Sequence, residues 1–160
     1  MKINLTQNKN FKLFKIISKV AQENNQTVYI VGGYVRDLLM QRKAPTDIDF
    51  VTEQSGIELA KAVGKELGDL KVSVFKTYGT AMIKYQDLDL EFVGARKESY
   101  SENSRKPAVE TGTLEDDQKR RDFTVNALAI SLNSENFGEL IDPFNGREDM
   151  QNKILRTPLE

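Results

Sequence analysis

The stretch Val28–Thr52, VYIVGGYVRDLLMQRKAPTDIDFVT, leaves little freedom in what can surround it. The apolar, β-branched run at 27–31 reads as a strand buried on both faces. It runs straight into Gly32 and Gly33, and GYVRDLLM after them reads as a helix opening at the glycines. A polar loop then leads to TDIDFVT at 46–52, whose alternation is that of a second strand. Strand, glycine turn, short helix and strand in that order call for a mixed α/β domain.

Each half of the stretch carries a candidate site. Glycines between a buried strand and a helix let backbone N–H groups approach a ligand, and that setting favours anions such as phosphate. Gly32 and Gly33 equally suit a plain tight turn, and they lack the longer glycine spacing of a dinucleotide site or a P-loop. Arg36 follows Gly33 by one helical turn and can reach the same anion. Asp47 and Asp49 straddle Ile48, so on a strand both carboxylates point to one face. Paired carboxylates repel, and a hard cation such as Mg²⁺ relieves the repulsion. A solvated strand edge would read the same way.

The rest of the chain supplies candidates for completing the site. LDLEFVGAR places Asp89 and Glu91 on one face and Leu88, Leu90 and Phe92 on the other. If that strand neighbours 46–52, one of the two acids completes a carboxylate cluster. KRRDFTVNA, at 119–127, packs Arg120, Arg121, Asp122 and Asn126 around a helix boundary. Arginines there suit bidentate phosphate contacts, and the bland alternative is a solvated helix end capped by Asp122.

Around these lie further elements. Residues 9–24 carry Leu13, Ile16, Ile17 and Val20 on one face of an amphipathic helix. Residues 55–68 read as a helix with Ser55 as N-cap and Gly68 as stop. Strands are expected at 71–75, 80–85 and 88–93, the last two joined through Gln86 and Asp87 as an antiparallel hairpin. Residues 96–110 are polar, charged and poorly periodic, which suggests a mobile loop whose Arg96, Lys97, Arg105 and Lys106 suit RNA backbone contact. TLEDDQKRRDF reads as helix, TVNALAISL as helix running into strand, and GELIDPF as strand. NGREDMQNKILRTP reads as a short helix and a final strand. No internal repeat or linker divides the 160 residues, which fit one domain.

Composition narrows the chemistry. The chain has no cysteine and no histidine, which excludes disulfides, thiolate–zinc sites and imidazole bases. Net charge is −1, so any nucleic acid must be met by a local basic patch. No run approaches the roughly 18 apolar residues of a membrane span, and the polar start lacks a secretory signal, so a cytoplasmic protein with no membrane partner is expected. Carboxylates, arginines, a glycine turn and no histidine together form a kit for phosphoryl or nucleotidyl transfer with two metal ions.

The motifs VGGYVRDLL…TDIDFVT, YGTAMIKY, LEFVGARKESY, TLEDDQKRRDFTVNALAI and LIDPFNGREDMQNKILRTP resemble, in order, the head of class II tRNA nucleotidyltransferases (CCA-adding enzymes), a family that includes bacterial poly(A) polymerases. The resemblance covers about residues 26–158. It implies a polymerase-beta-like nucleotidyltransferase fold, a small, mostly antiparallel sheet with helices packed against it. It implies Asp47 and Asp49 as metal-binding aspartates and Glu91 as the third acidic residue. It also implies Gly32, Gly33, Arg36 and Arg121 at the nucleotide, with Asp122 and Asn126 shaping that site. The expected reaction is Mg²⁺-dependent transfer from CTP or ATP to the 3′ end of tRNA. Poly(A), CC- or A-addition, or a non-catalytic nucleotide- or RNA-binding module, are the alternatives. In the family a neck helix with an E-D-x-x-R type selector follows ILRTP, then body and tail domains. This chain ends before them, and the resemblance implies an excised head that is weakly active or inactive by itself.

Overall fold

The aspartate strand lies in the interior of the sheet, where its neighbours determine what its side chains meet. The computed structural model describes residues 1–99 and 108–158, with side chains described except at 97–99 and 108–111. Seven strands form one sheet: β1 (Tyr29–Val31), β2 (Asp47–Thr52), β3 (Val72–Phe75), β4 (Thr80–Tyr85), β5 (Leu88–Gly94), β8 (Ala129–Ser131) and β9 (Leu140–Ile141). Their order across the sheet is β3-β4-β5-β2-β1-β8-β9. The β2–β5 pair is parallel and the other pairs in this sheet are antiparallel, as the mostly antiparallel reading expects.

That parallel pair follows from the connection. A β2–β5 neighbourhood requires a crossover, and α3 (Gly56–Glu66) with the β3–β4 hairpin supplies it. Ser55 caps α3 by accepting from the backbone N–H of Glu58 at 3.1 Å. The hairpin between β4 and β5 turns at Gln86, whose φ of 56° is the left-handed value such turns require.

Alternation then sorts the faces. Ile48, Phe50, Leu88, Leu90, Phe92, Ala81 and Ile83 are buried on the inner face, beneath α3 and α1 (Phe11–Glu23). Phe50 and Phe92 stack at 5.0 Å between centroids, and Phe14 of α1 meets Phe50 edge-on. The expected face of α1 is the buried one: Leu13, Ile17 and Val20 are buried and Ile16 partly so. The outer face carries a smaller cluster, Val31, Val51, Ala95 and Ala129 under Leu114 of α4 (Leu114–Lys119). Asp47, Asp49, Asp89 and Glu91 belong to this outer face and remain at least partly accessible.

Several sequence expectations needed correction. The ends of the expected loop at 96–110 pair as an antiparallel ribbon, β6 (Arg96–Ser99) with β7 (Ala108–Thr111). Arg105 and Lys106 lie outside the described residues. The helix expected in TVNALAISL is a single 3-10 turn, Thr124–Asn126, because Ala129 onwards is drawn into pairing with β1. The final strand expected after α5 (Gly146–Gln151) does not form within the described residues. Residues 154–158 instead run irregularly along that turn, with the Thr124 N–H donating to the Arg156 carbonyl at 2.8 Å.

Phe50 ties the aspartate strand to both its neighbour and α1. Phe50→Ala is expected to cost about 3–5 kcal/mol of stability, measured by urea denaturation. A loss below about 1 kcal/mol would contradict this packing.

Candidate active site

Register brings the two halves of the opening stretch to one place. Asp49 pairs with Val31 on one side and Glu91 on the other, and Asp47 sits beside Asp89. Val31 leads directly into Gly32, which has φ 73° and ψ −142°, a conformation open essentially to glycine alone. A Cβ placed at Gly32 would lie 3.6 Å from Asp49 Oδ2 and 3.8 Å from Arg121 Nη1. The glycine turn, the aspartate and the arginine are therefore in mutual reach. At Gly33 a Cβ would stand 3.3 Å from Arg36 Nη2, so that guanidinium folds over the turn.

Arg121 is aimed by a residue that sequence reasoning missed. Asp117 is fully buried, and its Oδ2 accepts from Arg121 Nε at 3.2 Å and Nη2 at 2.9 Å. Its other oxygen accepts from Arg120 Nη2 at 2.8 Å. Two bonds to one edge of the guanidinium leave Nη1 facing Gly32 and Asp49. The signal was present as an i, i+4 Asp–Arg pair in EDDQKRR, but such pairs are usually solvated and nothing in the sequence marks this one as buried. Helix α4 that carries Asp117 is held by a capping box between Thr113 and Asp116, not by Asp122.

Arg36, Asn126 and Asp122 form an adjoining chain. Arg36 Nη1 donates to Asn126 Oδ1 at 2.9 Å, and Asn126 Nδ2 donates to Asp122 Oδ1 at 3.1 Å. Asp122 also accepts from the Phe123 N–H at 2.7 Å, and the Asn126 bond holds its carboxyl below the usual range. Asp122 thus locks an amide in place and caps no helix. Arg36 and Asn126 line a groove of about 570 Å³ with Met40, Phe123 and Leu155.

The acids are electrostatically frustrated. Burial pushes the Asp49 carboxyl up, with Asp47 adding to the shift, against the pull of Arg121 and a hydrogen bond from Glu91. Burial also raises Glu91, and the charge of Asp49 raises it further. Among the described residues no three acidic side chains are gathered tightly enough to cage a cation by themselves. Asp47, Asp49 and Glu91 are brought together as an electrostatic unit. Asp89, the other acid of the hairpin strand, lies beside Asp47.

The open mixed sheet thus carries a cluster of carboxylates beneath a glycine turn lined by arginines. The chain belongs to the poly A polymerase head domain family, whose pattern it matches over residues 28–156. It is 46% identical over 129 residues to an A-adding tRNA nucleotidyltransferase of Aquifex aeolicus, covering 81% of this chain and 15% of that protein. A solved tRNA-processing enzyme in an apo form superposes with a TM-score of 0.85 at 39% identity, over 99% of this chain and 38% of that one. A tRNA nucleotidyltransferase complexed with a primer tRNA and an incoming ATP analog superposes at 0.77 and 42% identity, over 89% of this chain and 38% of that one. The chain thus spans well under half the length of these relatives, and its fold is the polymerase-beta-like nucleotidyltransferase fold. Among the described residues, no helix is long and apolar enough to cross a membrane.

Raised carboxyl pKa values mean that the folded chain holds these protons more tightly than the unfolded one. Their contribution to stability therefore falls as pH rises through the carboxylate range up to the raised values. Asp49→Asn removes that penalty. It is expected to raise the thermal unfolding midpoint in chelator at pH 7, with a smaller gain near pH 4. It should also let Glu91 titrate at lower pH in an NMR titration. An unchanged Glu91 midpoint would contradict the coupling.

Proposed function

We propose that this chain is a nucleotidyltransferase head that transfers a nucleotide from CTP or ATP to the 3′ end of tRNA, with Mg²⁺ held by Asp47 and Asp49. One observation carries the reading: the β2–β5 register sets Asp49 beside Glu91 and directly below Gly32 and Arg121.

The donor set fits a hard divalent cation. Its members are carboxylate oxygens, and Asp49 and Glu91 face each other with too little positive charge nearby to keep both easily ionised. Asp47 and Asp49 would hold the ions, with Glu91 as third acid. Bound there, Mg²⁺ supplies charge neutralisation for the triphosphate and acidifies the attacking hydroxyl. Arg121, aimed by Asp117, offers Nη1 to the phosphates. The backbone of Gly32 and Gly33 lets the triphosphate come close, and Arg36 meets it from the groove side. Asn126, locked by Asp122, keeps Arg36 in position. The RNA 3′-hydroxyl gives its proton to solvent, and its oxygen forms a bond to the α-phosphorus. The bond between that phosphorus and the α,β-bridging oxygen breaks, and pyrophosphate leaves. No histidine is needed as base, and none exists.

A second reading, addition of A alone, is favoured by the A-adding name of the Aquifex aeolicus relative. Labelled CTP and ATP offered to tRNA ending before CCA, and to tRNA ending in CC, separate the two: incorporation of ATP alone supports A-addition.

Assayed in the full-length parent enzyme, Asp47→Ala and Asp49→Ala are each expected to reduce incorporation about 10²–10³-fold or more, a loss typical of removing charge-stabilising groups. Unchanged incorporation would sink the proposal. Asp117→Asn is expected to raise the KM for ATP about tenfold with a smaller change in kcat, because Arg121 loses its aim while the acids remain. MgATP binding by calorimetry reads the same effect without turnover.

A further inference from the structure

The carboxylates divide the outer sheet face into two flanks. On the β1 side stand Gly32, Arg36 and Arg121, the groups assigned to the triphosphate. On the other side lie β5, β4 and β3, where Ser73, Met82, Glu91 and Asp49 form one row in register. Ser73, Phe75 and Lys84 are exposed there and Met82 is half-buried, so the row continues from the acids onto open surface.

That surface has an unusual composition. Phe75 on this face is 47% exposed, and Tyr78, in the 3-10 turn that follows β3 and beside Gly94 and Arg96 at the strand ends, is 64% exposed. They are the aromatic side chains left most open among the described residues. Phe75 lies on the face of Ser73 and Met82, two residues farther along β3. Lys71 and Lys84 share a groove of about 290 Å³ with Phe75, Met82 and Asp89. Lys76 lies between the two aromatics in sequence, and Arg96 donates to the Tyr78 carbonyl while its charge acts on Glu91.

Lysines alone would suit the guarding of an edge strand such as β3. Exposed aromatics do the opposite, since they invite association unless something covers them. Stacking rings set among cations match single-stranded nucleic acid, whose bases stack on the rings and whose phosphates meet the cations.

We propose that this face together with the turn at its edge, offering Phe75 and Tyr78 with Lys71, Lys76 and Lys84 near them, receives the single-stranded 3′ end of the RNA acceptor. The inference rests on the nucleotidyl-transfer reading. Attack at the α-phosphorus requires the incoming and leaving oxygens to lie roughly in line. With pyrophosphate departing on the Gly32–Arg121 flank, the hydroxyl must arrive from the Glu91 flank, which is where this face leads.

The test measures binding without turnover. A 5′-labelled RNA hairpin with a short single-stranded 3′ tail is titrated with the protein by fluorescence anisotropy, alongside the same hairpin without a tail. The double substitution Phe75→Ala with Tyr78→Ala is expected to weaken binding of the tailed hairpin about tenfold or more. Tailless-hairpin binding, MgATP binding and the unfolding midpoint should stay unchanged, and Phe75→Tyr with Tyr78→Phe should retain affinity. Replacing Lys71, Lys76 and Lys84 by alanine should flatten the salt dependence, by about 0.7 in log–log slope for each phosphate that is no longer neutralised. The proposal is overturned if the unsubstituted chain shows no preference for the tail, or if the double substitution leaves tailed binding intact. It is likewise overturned if that substitution changes only self-association in sedimentation, which would make the patch a protein interface. Transfer surviving Asp49→Ala would sink the nucleotidyl-transfer reading, while the anisotropy result would still report on the RNA face.

Discussion

The parallel pairing of β2 with β5 is the contact on which the site depends. Side chains alternate along a strand, so a slip of one residue would send Asp49 or Glu91 into the core and bring a leucine or phenylalanine out. The inner face prevents that slip. Ile48, Phe50, Leu90 and Phe92 are all fully buried, and the Phe50–Phe92 stack joins the same two strands. Apolar burial on one face thus sets the spacing of charge on the other. Acids that repel one another are held side by side by hydrophobic packing rather than by any attraction of their own.

Positive charge is placed with similar indirectness. Arg121 comes from the far end of the sequence and reaches the acids because Asp117, fully buried beneath it, accepts from one edge of its guanidinium. A buried carboxylate is costly unless its charge is met, and here two arginines meet it. The same pairs leave Nη1 free toward Gly32. On the groove side, Asn126 plays the corresponding part for Arg36, itself held by Asp122. Both arginines are therefore oriented before any ligand arrives, which reduces what ordering them would cost on binding.

Much of this was legible in the chain. Elements with a clear period or cap were read correctly: the faces of α1, the Ser55 cap, the β4–β5 hairpin and the split of 88–93 into apolar and acidic faces. The misreadings lie where long-range pairing overrode local preference. TVNALAISL has helical composition, but hydrogen bonds offered by β1 draw Ala129–Ser131 into the sheet. The ends of 96–110 look like loop by composition and still pair with each other. Residues 154–158 have strand-like character but follow the 3-10 turn instead of pairing in the sheet.

The order of residues by itself determined which side chains share a face, because alternation along a strand and the spacing of a helix are local geometry. It also determined that Gly32 could take a backbone conformation closed to other residues. Only the tertiary structure decided which faces meet: that Asp49 stands against Glu91, that Arg121 arrives above them, and that Asp117 is buried where it can aim that arginine. Those contacts join residues far apart in sequence. Their geometry is set by register and by a shared core, which no local pattern encodes.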